Sequence, residues 1–296
     1  MEIKSLEYSY DYCRNLTQNH YENFPVGSIL IPKTIRKYIY PIYAFARTAD
    51  DIADSSNLDS EEKLSQLNSM EAEIDKIDNK DTDFIDLYKN IFLSLSDTIQ
   101  RFKIPKQEFI NLLNAFKQDS IKNRYDHFND LIEYSGLSAN PVGHLILYLF
   151  GNSPEKNKEM FVYSDKICTA LQLTNFWQDV KSDLEINRIY IPKTIMKEFN
   201  YSEDDLHNLK EDNNFILLMK NLIQKTEILF KEGLPLIELL KGRLKLELKA
   251  IINGGLEILN KIRQVEYRVL SKKVKLNNLD KIKILGKSTL NNKVGI

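Results

Sequence analysis

Cysteine, tryptophan, glycine and proline are all scarce in this chain: two, one, ten and eight residues in 296. Cys13 and Cys168 lie far apart, so neither a disulfide framework nor a cysteine metal cluster is expected, which fits a reducing cytoplasmic setting. The longest clean apolar run, Leu145 to Phe150, is far shorter than the roughly 20 residues of a spanning helix, so any membrane contact is expected to be peripheral. The opening MEIKSLEYSYDY lacks the basic-then-apolar layout of a signal peptide. With 41 basic against 42 acidic residues, the charge balance gives no reason to expect nucleic-acid binding. His20, His127, His144 and His207 show no ligand spacing and are expected to be structural or exposed. No G-x-G-x-x-G or P-loop occurs, so no nicotinamide cofactor is expected, and no Ser-His-Asp or Cys-His arrangement stands out.

What is there reads as helix. Hydrophobic residues make up 43% and charged ones 28%, enough for a large core and too apolar for wholesale disorder. Alternating strand-like runs are scarce, and the glycines and prolines mostly punctuate helical patterns. Ser5 is a candidate cap for a first helix to about Asn19, and Pro41 should kink or break a helix over Lys33–Asp54. Asp59 with Glu62, and Ser202 with Asp205, predict capped helix starts. Late helices are expected over 213–232, 235–252 and 255–271, divided at Gly254-Gly255. The Lys- and Asn-rich end, residues 276–296, is expected as a loosely attached tail behind one domain, 1–275.

Two stretches carry chemistry. In QLTNFWQDVKSDLEINRIYIP (172–192), Gln172, Asn175, Asp179 and Asp183 follow one another by about a turn and share a stripe of a helix. Leu173, Phe176, Trp177, Val180 and Leu184 form the apolar stripe beside it. In YAFARTADDIAD (43–54), Tyr43, Arg47, Asp50 and Asp54 form a similar stripe, with Asp51 to the side and Ile42, Phe45, Ala49 and Ile52 as the apolar face. A buried carboxylate without a partner is costly, so each row needs either a cation or a water-filled cleft. Oxygen donors without Cys or His favour a hard cation, Mg²⁺ with Mn²⁺ as a substitute, completed by water and phosphate. Arg47 either neutralises Asp50 and Asp51 within its own helix or, like Arg188, serves phosphate.

At these residues the chain resembles the squalene/phytoene synthase family of head-to-head prenyl transferases, over roughly residues 8 to 270. The first aspartate motif corresponds to Asp50-Asp51-Ile52-Ala53-Asp54; the second to Asn175, Asp179 and Asp183, followed by Arg188-Ile189-Tyr190. HYENFPVGS (20–28), ARTADDIAD (46–54), SANPVG (138–143), LQLTNFWQDV (171–180) and GGLEIL (254–259) look most like the bacterial hydroxysqualene synthase branch. The resemblance implies an all-α isoprenoid (terpenoid) synthase fold with helices around a central active-site cleft. It assigns Asp50, Asp54, Asn175, Asp179 and Asp183 to metal, Arg47, Arg188 and Tyr190 to the substrate's diphosphate, and counts Asp51 among the substrate-binding residues. Tyr43, Tyr134, Gln172 and Phe24 match further cleft positions, and Tyr134 stands with the aspartates as a catalytic candidate.

Two departures bear on the reaction. Tyr21-Glu22-Asn23-Phe24 stands where typical members carry Ser-x-Ser-Phe, and Gly254-Gly255 where carotenoid-making members tend to have a Tyr. Both steer the resemblance toward Mg²⁺-dependent conversion of presqualene diphosphate to hydroxysqualene. Companion enzymes would then supply that substrate and reduce the product. The alternatives are condensation of two farnesyl or geranylgeranyl diphosphates to presqualene diphosphate, squalene or a phytoene-type product, and, more remotely, a non-catalytic helical scaffold.

Overall fold

A computed structural model describes residues 3–18, 31–78, 83–290 and 294. Among the described residues the regular elements are helices, and the one bridge of strand type joins Arg124 to Ile189. In chain order they are α1 (Ile3–Gln18), α2 (Lys33–Asp54), α3 (Ser60–Asp78), α4 (Lys89–Phe102), α5 (Gln107–Asp119), α6 (Phe128–Ser138), α7 (Asn140–Leu149) and α8 (Pro154–Gln178). There follow α9 (Val180–Glu185), α10 (Lys193–Glu198), α11 (Glu203–His207), α12 (Asn213–Gly233), α13 (Leu236–Leu239), α14 (Gly242–Gln264) and α15 (Asn278–Leu290). They group into two compact units, residues 1–122 with 141–158, and 123–140 with 159–296. The boundary in α8 coincides with a non-helical residue, Asn157, at φ −139° and ψ 46°.

In the first unit α2 packs against α1, α3, α4 and α5. Its apolar face is buried as the pattern requires: Ile42, Phe45, Ala49 and Ile52 are each at most 7% exposed. Phe45 meets Phe92 and Phe109 edge to face, with ring centroids 6.0 and 5.4 Å away, an arrangement the ring quadrupole favours. Pro41 does not break the helix; it lies buried within continuous α2. The apolar packing of its neighbours offsets the lost backbone bond. Asp59 and Glu62 form the expected reciprocal cap, at 2.9 and 3.0 Å.

The second unit is built on α8. Trp177 is fully buried, and its indole N–H donates to Thr226 Oγ1 of α12 at 2.8 Å. Two glycines let neighbouring helices approach. A Cβ on Gly233 would come within 2.5 Å of Ile167, and one on Gly255 within 2.8 Å of both Leu171 and Phe230.

This overturns the expected division at Gly254-Gly255: both lie inside unbroken α14, where the missing side chain serves packing. The chain instead bends before Gly242, at φ 58°, a backbone region glycine enters without steric cost. The expected loose tail is also corrected. Asn277 and Asp280 cap α15 reciprocally at 2.8 and 2.9 Å. Lys261 pairs with Asp280 at 2.8 Å, Asn253 donates to Ser288 at 3.0 Å, and Ile284 is buried.

Candidate active site

The second acidic row keeps its register through a break in the helix. Asp179 leaves helical geometry between α8 and α9, with φ −104° and ψ 15°. Even so, the Asp179 N–H donates to the Asn175 carbonyl and the Asp183 N–H to the Asp179 carbonyl, each at 2.9 Å. The three residues are therefore stacked one turn apart on a shared stripe. Asn175 and Asp179 are exposed and Asp183 half-buried, whereas Leu173, Phe176, Trp177 and Val180 are buried. Although Asp179 is accessible, burial among surrounding protein atoms pushes its carboxyl above the usual range, and Lys273 partly offsets that. Gln172, one turn earlier, is half-buried.

The row leads directly into a cluster of aromatic rings. Phe176, next to Asn175, stacks on Tyr190 with centroids 3.7 Å apart and planes 9° from parallel. Tyr134 of α6 lies 6.0 Å from Phe176 and 6.1 Å from Tyr190, and Tyr125 stacks on Tyr190 at 5.6 Å. All four are at most 8% exposed. Tyr190, expected near phosphate, thus has its ring in this cluster. Tyr134, a cleft position in the resemblance, is joined here by Phe176 of the apolar stripe and by Tyr125.

A residue that sequence reasoning missed sets the turn after the row. The Arg124 guanidinium donates to the Asn187 carbonyl at 2.6 Å and to Asn187 Oδ1 at 2.8 Å, and its Nε donates to Glu203 at 2.7 Å. Asn187 takes a positive φ of 61°, which asparagine tolerates better than most residues. The turn then closes with the Arg188 N–H donating to the Asp183 carbonyl at 2.8 Å, and the Ile189 N–H to Asn123 at 3.0 Å. Arg188, half-buried, is thereby fixed next to the end of the row.

In the first unit, α2 carries Tyr43, Arg47, Asp50, Asp51 and Asp54. Tyr43, Arg47 and Asp50 are half-buried, while Asp51 and Asp54 are exposed. Arg47 lies 3.4 Å from Asp50 and hydrogen-bonds Asp51. That bond, opposed by burial and aided by the charges of Asp51 and Asp50, raises the guanidinium pKa further. Its Nε is buried without a hydrogen-bond partner among the described residues. Intrahelical neutralisation therefore occurs, and it leaves part of the guanidinium unused. Phe24 lies outside the described residues.

Both rows offer oxygen donors suited to a hard divalent cation. Among the described residues, however, no three His, Cys, Asp or Glu side chains are gathered into a ready cage. The donor set fits a cation that takes much of its shell from water and ligand oxygens, as Mg²⁺ usually does. His144 instead sits 3.0 Å from Glu108, and His207 3.6 Å from Glu203.

The sequence profile of squalene/phytoene synthases matches residues 17–280. The chain belongs to the squalene/phytoene synthase family. It is 32% identical over 244 residues to a hydroxysqualene synthase of Sinorhizobium fredii, covering 82% of this chain and 80% of that one. To a 15-cis-phytoene synthase of Synechococcus elongatus it is 27% identical, covering 92% and 89%. The solved structure of squalene synthase HpnC from Alicyclobacillus acidocaldarius matches at a TM-score of 0.82 and 32% identity, over 90% of this chain and 97% of that one. The protein is accordingly an all-α enzyme of the squalene/phytoene synthase family, with the isoprenoid synthase fold. No helix among the described residues is long and apolar enough to cross a membrane.

Proposed function

We propose that this enzyme ionises presqualene diphosphate and traps the rearranged cation with water, releasing hydroxysqualene and diphosphate. One observation carries the proposal: adjacent residues of α8 present the two surfaces such a reaction needs. Asn175 begins an accessible oxygen row, and Phe176 enters a buried aromatic stack. The family membership and the likeness to hydroxysqualene synthases support the choice of substrate.

In this proposal Asn175, Asp179 and Asp183 would hold Mg²⁺ on the second row and Asp50 and Asp54 would hold it on the first, where it would supply Lewis acidity toward the departing diphosphate. Arg188 and Arg47 donate to diphosphate oxygens, Arg47 by exchanging Asp51 for substrate. The faces of Phe176 and Tyr134 that no other ring covers would offer negative quadrupole to the carbocation. Gln172, beside the second row, and Tyr43, beside the first, would each contact substrate. No step needs a nicotinamide cofactor. Companion enzymes would make presqualene diphosphate and reduce hydroxysqualene.

A second reading, condensation of two prenyl diphosphates, is favoured by the extensive match to phytoene synthases. Incubation with presqualene diphosphate or farnesyl diphosphate and Mg²⁺, followed by mass spectrometry of the products, separates the two. Hydroxysqualene from presqualene diphosphate supports the first. Turnover of farnesyl diphosphate alone, with presqualene diphosphate untouched, favours the second.

A further inference from the structure

The last helix carries two unlike faces. Asp280, Ile284 and Ser288, four residues apart, point inward and are at most 7% exposed. On the opposite side Leu279, Ile282 and Leu285 form an apolar stripe, exposed to 67%, 65% and 49%. At 100° per residue, Lys283 falls on one flank of the stripe and Lys281 on the other, while Lys287 lies nearer the buried face, beside a groove that Glu227 and Glu257 also line. From Lys272 to Lys287 six lysines stand against one carboxylate, Asp280, and Lys261 already pairs with it at 2.8 Å. The chain as a whole has a net charge of −1, so this cationic character is local.

An exposed apolar stripe with lysines on both flanks, on a helix anchored by its other face, matches the layout of helices that lie in a membrane interface. The apolar side chains reach the acyl boundary, while the lysine stems extend and keep their ammonium groups at the headgroups. A second copy of the chain fits the stripe poorly. Whether two α15 helices met parallel or antiparallel about a two-fold axis, lysines would face lysines.

We propose that α15 is a membrane-docking helix, inserting Leu279, Ile282 and Leu285 into the surface of an anionic bilayer with Lys281 and Lys283 on its headgroups. The helix is tied closely to the candidate active site, because Gln178, next to Asp179, donates to the Val274 carbonyl just ahead of it at 3.1 Å. A bilayer-seated α15 would hold that site near the membrane surface. The docking itself does not depend on the reaction and is measured without substrate.

The test is co-sedimentation of the full-length protein with vesicles of phosphatidylcholine alone, or of equal parts phosphatidylcholine and phosphatidylglycerol, at low and high salt. The expected result is binding to the anionic vesicles that weakens as salt rises. L279E/I282E/L285E should bind at least about tenfold more weakly, because it removes the apolar contact. K281Q/K283Q, which leaves the stripe intact, should lose the preference for anionic lipid. Circular dichroism checks that the helix content of both variants is retained. Equal binding by wild type and the glutamate variant, or binding by neither, overturns the proposal. So does a glutamate variant that changes only from dimer to monomer in analytical ultracentrifugation, which would assign the stripe to a second copy.

Discussion

Phe176 stacks face to face on Tyr190, with ring centroids 3.7 Å apart. Fourteen positions separate them in the chain, and the turn held by Arg124 at Asn187 brings them together. If the stack supplies its faces to a carbocation, Phe176→Leu should lower kcat by roughly thirtyfold, about 2 kcal/mol of cation–π stabilisation, with little change in KM. Its thermal stability should fall by only about 1–2 kcal/mol, the cost of a near-volume-conserving core change plus one lost ring pair. Steady-state kinetics beside a melting curve decide this. An unchanged kcat would remove the aromatic stack from the chemistry.

Replacing a carboxylate of either row should separate activity from stability. Asp50→Asn and Asp179→Asn are expected to reduce turnover by about 10²-fold or more, partly restored by raised Mg²⁺. Neither should melt earlier. For Asp179 the sign follows from desolvation: surrounding protein atoms raise its folded pKa, so its ionised form opposes folding of the free enzyme at neutral pH. Asparagine removes that charge, and the melting temperature should hold or rise. A scaffold without catalysis would show no kinetic effect.

Gly255→Ala tests the close approach of α14 to α8. A methyl group 2.8 Å from both Leu171 and the Phe230 ring must displace the two of them or shift α14 itself. Overpacking of this kind costs about 1–3 kcal/mol, read by denaturant titration. Because Leu171 adjoins Gln172, KM should rise as well. A variant as stable as the wild type would mean that the helices do not pack this tightly.

The clamp on the Asn187 turn predicts a pH dependence. Its hydrogen bond to Arg124 holds the Glu203 carboxyl below the ordinary value of 4.5. The unfolded chain therefore takes up the proton first as pH falls. The clamp's contribution is complete above 4.5 and is lost as pH drops through the lowered folded pKa. Urea titrations over that acidic window should show Glu203→Gln losing less stability than the wild type. Parallel slopes would show that the pair contributes nothing.

The sequence made the acidic rows legible because spacing within one helix is a local property. Asn175, Asp179 and Asp183 needed only the helical period, and the break at Asp179 did not disturb it. The reciprocal caps at Asp59 and Ser202 were legible for the same reason. Gly254-Gly255 misled because a glycine pair has two meanings. Only the partners Leu171 and Phe230, distant in sequence, decide between breaker and packing notch. Arg124 was silent for a like reason: its partners Asn187 and Glu203 lie far along the chain. In the final helix, lysines and asparagines suggested solvent. Asp280, Ile284 and Ser288, one turn apart, in fact form a face that packs on α14.

The most direct test follows the oxygen atom. The enzyme, presqualene diphosphate and Mg²⁺ are incubated in water enriched in heavy oxygen, and the lipid product is weighed by mass spectrometry. Capture of the cation by water puts the heavy isotope into the alcohol of hydroxysqualene, with diphosphate released in equal amount. Hydroxysqualene without the label, or a hydrocarbon with no oxygen at all, would contradict the account.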